Sequence, residues 1–142
     1  MMEENQLNWQ LNTCPNLGTS RLLLRKLSLN DADELFQVFS DEETTHYVPR
    51  EKHDNMTVTI DYLENLIKRM NEGKSFVWSV IDKTENQVIG TVNLYFKPDR
   101  AASIGAVINR AYWGKGIGTE ALKQIIRFGF DKMKLIRIEG KC

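Results

Sequence analysis

Three glycines at alternate positions, Gly114, Gly116 and Gly118, stand in the run Arg110-Ala111-Tyr112-Trp113-Gly114-Lys115-Gly116-Ile117-Gly118-Thr119-Glu120-Ala121. Residues without a β-carbon let the backbone turn tightly and let another molecule come close to it. The run follows a short apolar stretch and opens the best amphipathic helical pattern in the chain. The first N–H groups of such a helix have no partner within it and carry partial positive charge. Groups arranged in this way suit an anion, above all phosphate. Lys115 and Arg110 add positive charge nearby. The chemistry expected here is the cradling of a pyrophosphate.

Two other phosphate loops compete for the same residues. A Walker-type loop needs Gly-Lys followed at once by Ser or Thr, and Gly114-Lys115 is followed by Gly116. The dinucleotide turn fits better, because strand, glycines and helix come in order and Glu139 lies about 20 residues on. Its spacing fails, however. The third glycine is one residue early for G-x-G-x-x-G, and Arg110 to Trp113 separate the strand from the first glycine.

The elements that must position this loop can be read along the chain. Residues 1–19 lack periodicity, and Arg21 to Leu27 reads as a strand. Ser28 and Asn30 are candidate caps for a helix carrying Ala32, Leu35, Phe36 and Phe39 on one face. Asp41 to Asn55 reads as a long loop and a candidate substrate lid. A second helix starts near Asn55 or Thr57, buries Ile60, Leu63, Leu66, Ile67 and Met70, and stops at Gly73. Phe76–Ile81 and Val88–Lys97 are strands joined by a polar turn, and Ala102–Asn109 is a third, with Gly105 marking a bulge or a close approach. The helix behind the glycines runs from about Ile117 to Met133, with Ala121, Leu122, Ile125, Ile126, Gly129 and Met133 inward. Leu135 to Glu139 is a last strand. The order implies an α+β fold with a mixed sheet in a single domain spanning 1–142.

Composition narrows the function classes. With 19 basic and 19 acidic residues, no net field draws in nucleic acid or anionic lipid. Cys14 and Cys142 lie at opposite ends, which fits reduced thiols rather than a disulfide framework. The acidic, polar N-terminus does not read as a signal peptide, and no apolar run reaches membrane-spanning length. A soluble cytoplasmic protein is expected. Two histidines and two scattered cysteines offer no zinc spacing, so no metal site is assigned. His46 and His53 in the long loop read either as solvated side chains or as an acceptor-binding or basic pair. Trp78, Tyr95, Phe96, Phe128 and Phe130 read as core.

At Trp113 to Ala121 the chain resembles the acyl-CoA loop of the GNAT superfamily of N-acetyltransferases, most closely the branch that acetylates ribosomal-protein N-termini. The resemblance extends through Arg21-Leu22-Leu23-Leu24-Arg25, Gly90-Thr91-Val92, Phe130, Leu135 and Arg137-Ile138-Glu139, and covers about residues 20–142. It implies a mixed, mostly antiparallel sheet with helices on both faces, and acetyl-CoA as donor. It also implies acetyl transfer to a primary amine, at a ribosomal or other protein N-terminus or on a small molecule. The implied cofactor residues are Ala106, Val107 and Ile108 beside the pantetheine arm. By the same resemblance, Arg110, Gly114, Lys115, Gly116, Ile117, Gly118 and Thr119 would hold the pyrophosphate end.

The chain also departs from the family. Ser103 stands where many relatives have glutamate, and Ala106 where a tyrosine is common, so Glu139 or water is left as the base. Glu139 reads equally as the partner of Arg137 in a surface ion pair. The family continues past this strand with a further helix and two strands, and none follows Cys142. The expectation is therefore a domain cut at its fifth strand, with an exposed edge that destabilises it or pairs with a second copy. A CoA-binding or interaction module without catalysis is the alternative function.

Overall fold

The computed structural model describes residues 14–46 and 52–140. Six strands form one sheet in sequence order: β1 (Leu17–Gly18), β2 (Leu22–Lys26), β3 (Ser75–Asp82), β4 (Gln87–Lys97), β5 (Ala101–Ile108) and β6 (Arg137–Gly140). The helices are α1 (Ala32–Phe39), α2 (Glu42–His46), α3 (Met56–Asn71) and α4 (Ile117–Asp131). Every neighbouring pair of strands is antiparallel except β5 and β6. Because α4 connects β5 to β6, the chain crosses the sheet and returns in the same direction, as a parallel pair requires.

Alternation along the strands divides the core in two. Leu22, Leu24, Trp78, Leu94, Ile104 and Ile108 pack with Ile117, Ala121, Ile125 and Phe128 of α4. Val77, Ile81, Val88 and Val107 face the other way, toward Leu35, Val38 and Phe39 of α1 and Leu63, Leu66 and Met70 of α3. The expected mixed sheet with helices on both faces is what forms.

A register shift near Val80 and Ile81 breaks the alternation of β4. In consequence Ile89 and Val92, three residues apart, both enter the α4 core, while Val88 enters the α1–α3 core. Gly90 sits at this point, and a β-carbon there would lie 2.1 Å from the Val107 carbonyl oxygen. The close approach lets the Asn109 N–H donate to the Ile89 carbonyl at 2.8 Å, which fixes where β5 leaves the sheet.

Several elements differ from expectation. The lid segment contains α2, started by Asp41, whose carboxylate accepts from the Thr44 N–H at 2.9 Å. Residues 47–51 of that segment lie outside the described residues. Helix α1 buries Val38, while Phe36 is half-buried. In α3, capped by Asn55, Thr59 is buried and Ile60 is exposed. Thr59 faces inward because the buried His53 ring lies 2.8 Å from its hydroxyl. In α4, Ile117 and Phe128 are buried whereas Ile126 and Phe130 are exposed, and Met133 lies past the helix end. The apolar stripe is thus narrower than the spacing implied.

Candidate functional site

The chain leaves β5 at Ile108 through Asn109, whose side chain accepts from the Ala111 N–H at 3.0 Å and caps a 3-10 turn over Arg110–Tyr112. Three further bonds hold this turn. Trp113 donates its indole N–H to the Ile108 carbonyl at 2.8 Å. Tyr112 donates its hydroxyl to Asp82 at 3.0 Å. Burial, and then the bond to Asp82, push the Tyr112 phenol above its ordinary value, so it remains a neutral donor. The Arg110 N–H donates to the Thr44 hydroxyl of α2 at 3.2 Å.

The glycines follow. Gly114 and Gly116 have φ of 77° and 74°, in the left-handed region where a β-carbon is strained. Gly116 is also the N-cap of α4, and no side chain caps it. The first intrahelical bond runs from the Glu120 N–H to the Gly116 carbonyl at 3.0 Å. The N–H groups of Gly116, Ile117, Gly118 and Thr119 therefore precede the ladder and point out of the helix end. Gly118 differs from the other two. A β-carbon there would make only an ordinary contact, 3.8 Å from Ile108 Cγ1. Within the protein, nothing demands glycine at 118.

These residues line an open cleft of about 410 Å³ bounded by Ala106, Ile108, Tyr112, Trp113, Gly114, Gly116, Ile117, Gly118 and Thr119. Along its floor, β6 pairs with β5 only from Ala101 to Ile104, so Gly105 to Ile108 have no β6 partner among the described residues. A strand edge without a β6 partner among the described residues, opening with the small residues Gly105 and Ala106, thus leads up to a helix N-terminus whose first N–H groups precede the helical ladder. That combination fits an extended, amide-bearing arm ending in a phosphate.

The structure brings most of the expected cofactor residues together and separates others. Ala106 and Ile108 face the cleft, but Val107 points into the α1–α3 core and can offer only backbone. Lys115 is exposed, its ammonium 5.5 Å from the centre of the Tyr112 ring, and makes no ion pair among the described residues. Arg110 corrects the expectation. Its guanidinium is held at 3.0 Å by both Asp41 and Glu43, so its charge is engaged by α2 rather than directed over the glycines.

Ser103 and Glu139 are register partners on β5 and β6, outside the residues that line the cleft. Glu139 takes up the ion-pair alternative, at 3.1 Å from both Lys97 and Arg137. The Lys97 hydrogen bond, and then the two positive charges, hold its carboxyl below the ordinary range. His53 is buried against Phe39 and Tyr62, with ring centroids 5.1 and 5.3 Å away, and so is a core residue. His46 closes α2, and Tyr47 lies outside the described residues.

One functional contact was not foreseen. Glu120 reads from sequence as a first-turn acid. In the structure it accepts from the Thr19 hydroxyl, from Arg21 Nε at 2.7 Å and from the Arg21 backbone N–H at 3.1 Å. Burial opposes its ionisation, but the bonds from Thr19 and Arg21 outweigh that and hold the carboxyl below its ordinary value.

Comparison with known proteins decides the family. Residues 21–142 match the model of the acetyltransferase (GNAT) domain. The chain belongs to the GNAT acetyltransferases. It is similar to the N-acetyltransferase p20 of Bacillus licheniformis, at 37% identity over 88% of this chain and 71% of that protein. A GNAT-family acetyltransferase of Bacillus anthracis superposes with a TM-score of 0.76 at 29% identity, over 90% of this chain and 74% of the other. A ribosomal L7/L12 alpha-N-protein acetyltransferase in complex with coenzyme A shares the fold, with a TM-score of 0.68 at 17% identity, over 79% and 66% of the two chains. The GNAT chain described here is thus an N-acetyltransferase that uses acetyl-CoA. Among its described residues, no helix is long and apolar enough to cross a membrane.

Proposed function

We propose that this GNAT domain moves the acetyl group of acetyl-CoA directly to a primary amine, on a protein N-terminus or a small molecule. On this reading the N–H groups of Gly116 to Thr119 hold the pyrophosphate, with Lys115 as the nearby counter-charge. The edge from Gly105 to Ile108 receives the pantetheine amides. Acetyl-CoA supplies an activated thioester, and the chain supplies position. No cysteine among the described residues lines the cleft. Cys14 is packed between the two cores, and burial pushes its thiol to about 12. Among the described residues no thiol is placed to carry the acetyl group, which supports direct transfer to the amine. The ammonium gives its proton to solvent, since Glu139 is tied to two cations and held a weak base.

The observation that carries this reading is the glycine at 118, which the protein's own packing does not require. Its test is Gly118→Asp. An acid in the first turn stabilises a helix by about 0.3–1 kcal/mol, and aspartate is a better helix former than glycine. The same carboxylate would repel a pyrophosphate. The variant should melt no lower than the parent and bind CoA at least tenfold more weakly by calorimetric titration. CoA affinity within twofold of the parent would remove the pyrophosphate from this helix end.

A further inference from the structure

Arg21 lies 94 residues from Lys115 in the chain, yet its Nη1 donates to the Lys115 carbonyl at 2.9 Å. Lys115 is the peptide between the two left-handed glycines, where the loop reverses into α4. The same guanidinium grips Glu120 through Nε at 2.7 Å, and Glu120 also accepts from Thr19 and from the Arg21 backbone. Thr19 is anchored in turn, since its hydroxyl accepts from the Leu22 N–H at 3.0 Å and its carbonyl accepts from Lys83 Nζ. One arginine thus spans the helix's first turn and the loop before it, from the bend that leads into β2. Its Nη2 stands 3.6 Å from where a Gly116 β-carbon would be.

We propose that Arg21, held by Glu120 and Thr19, is the residue that positions the cofactor loop, setting the Lys115–Gly116 peptide so that the four N–H groups converge on one pyrophosphate. The inference rests on the reading of the loop as the pyrophosphate cradle. Two left-handed glycines leave the loop many backbone conformations, because glycine populates positive and negative φ about equally. Only one of them aims the N–H groups together. A loop built from permissive residues needs an outside constraint, and the planar guanidinium supplies two directed bonds from one group. Arg21 does not line the cleft, so it acts through the loop and not on the ligand.

The test uses two ligands and two variants. Pantetheine carries the amide arm without the pyrophosphate, and CoA carries both. Arg21→Met should weaken CoA at least tenfold in an NMR titration while leaving pantetheine within twofold. Arg21→Lys can keep a charge near Glu120 but not both directed bonds. It should restore the melting temperature to within about two degrees and still bind CoA several-fold more weakly. Equal losses for CoA and pantetheine, or unchanged CoA affinity in a folded Arg21→Met, would overturn the proposal. If Arg21→Met does not fold, parental CoA affinity in Arg21→Lys overturns it instead. A Gly118→Asp variant that keeps its CoA affinity would sink the cradle reading itself, which separates that failure from failure of the tether.

Discussion

Among single side chains, Asp31 has the most to hold together. It is buried, and its carboxylate accepts from Arg25 Nη2 at 2.8 Å, from the Ser79 hydroxyl at 2.6 Å and from the Ser28 N–H at 3.2 Å. The last bond completes a capping box with Ser28, so one carboxylate starts a helix and docks it on the sheet. The capping half was legible, because Ser28 and Asp31 have the spacing of a box. The tertiary half was not, since Ser79 lies 48 residues away and a strand serine carries no signal of its partner. Glu120 is alike: its place in the first turn of α4 is legible in the sequence, and its grip on Arg21, 99 residues away, is not. Asp31→Ala leaves Arg25 and Ser79 without their acceptor. Removing one partner of a fully buried pair costs about 3–5 kcal/mol. Arg25 is 34% exposed, so solvent should reduce this to about 2–3 kcal/mol. Urea unfolding of Asp31→Ala should show that loss, and a change below about 0.5 kcal/mol would mean the network is ornamental.

Among elements, the strands and long helices were readable because each has a period that survives tertiary packing. Helix α2 was missed because Glu42 to His46 is too short to show one, although Asp41 is a favoured N-cap residue and Glu42 and Glu43 are first-turn acids. The Ile60 error has a different cause: a buried polar pair, His53 with Thr59, displaced the apolar residue that spacing would have turned inward. The β4 irregularity was not legible: the bulge expectation fell on Gly105, where the β4–β5 register is regular, and the shift lies beside Gly90 instead. In the structure it sets the height at which β5 ends, and hence the floor of the cleft. A β-carbon at Gly90 would sit 2.1 Å from the Val107 carbonyl and 3.0 Å from the Ile108 Cα, both backbone atoms that cannot rotate away. Gly90→Ala should therefore cost about 3 kcal/mol by overpacking. It should also weaken CoA binding by shifting Ile108, whereas alanine at 118 has room. Chemical denaturation and a CoA titration on both variants check this. Parental stability in Gly90→Ala would show that the two strands have slack.

At the scale of the whole molecule, the two cores are separated by the sheet, and the N-terminal segment closes them at one edge. Cys14 packs against both clusters, and the Trp78 indole donates to the Pro15 carbonyl at 2.7 Å. The same segment continues through Thr19 into the tether on the cofactor loop. Closure of the cores and presetting of the loop are thus two ends of one short stretch. Sequence could not show this, because residues 14–20 have no periodicity and their partners are spread from Leu22 to Glu120. Cys14 offers a probe of that closure. Burial is the main influence that raises its thiol from 9.0 to about 12. At pH 8 the thiolate fraction then falls roughly a thousandfold below that of a free cysteine. Steric cover lowers reactivity further, because the thiolate must also be reached. In a Cys142→Ser background, Cys14 should react with a disulfide reagent at least a hundredfold more slowly than free cysteine. Mild urea should speed the reaction, and CoA should slow it if the loop and the segment move together. A rate near that of free cysteine would mean that residues 14–18 leave the sheet readily. The tether would then have to hold from Arg21 alone.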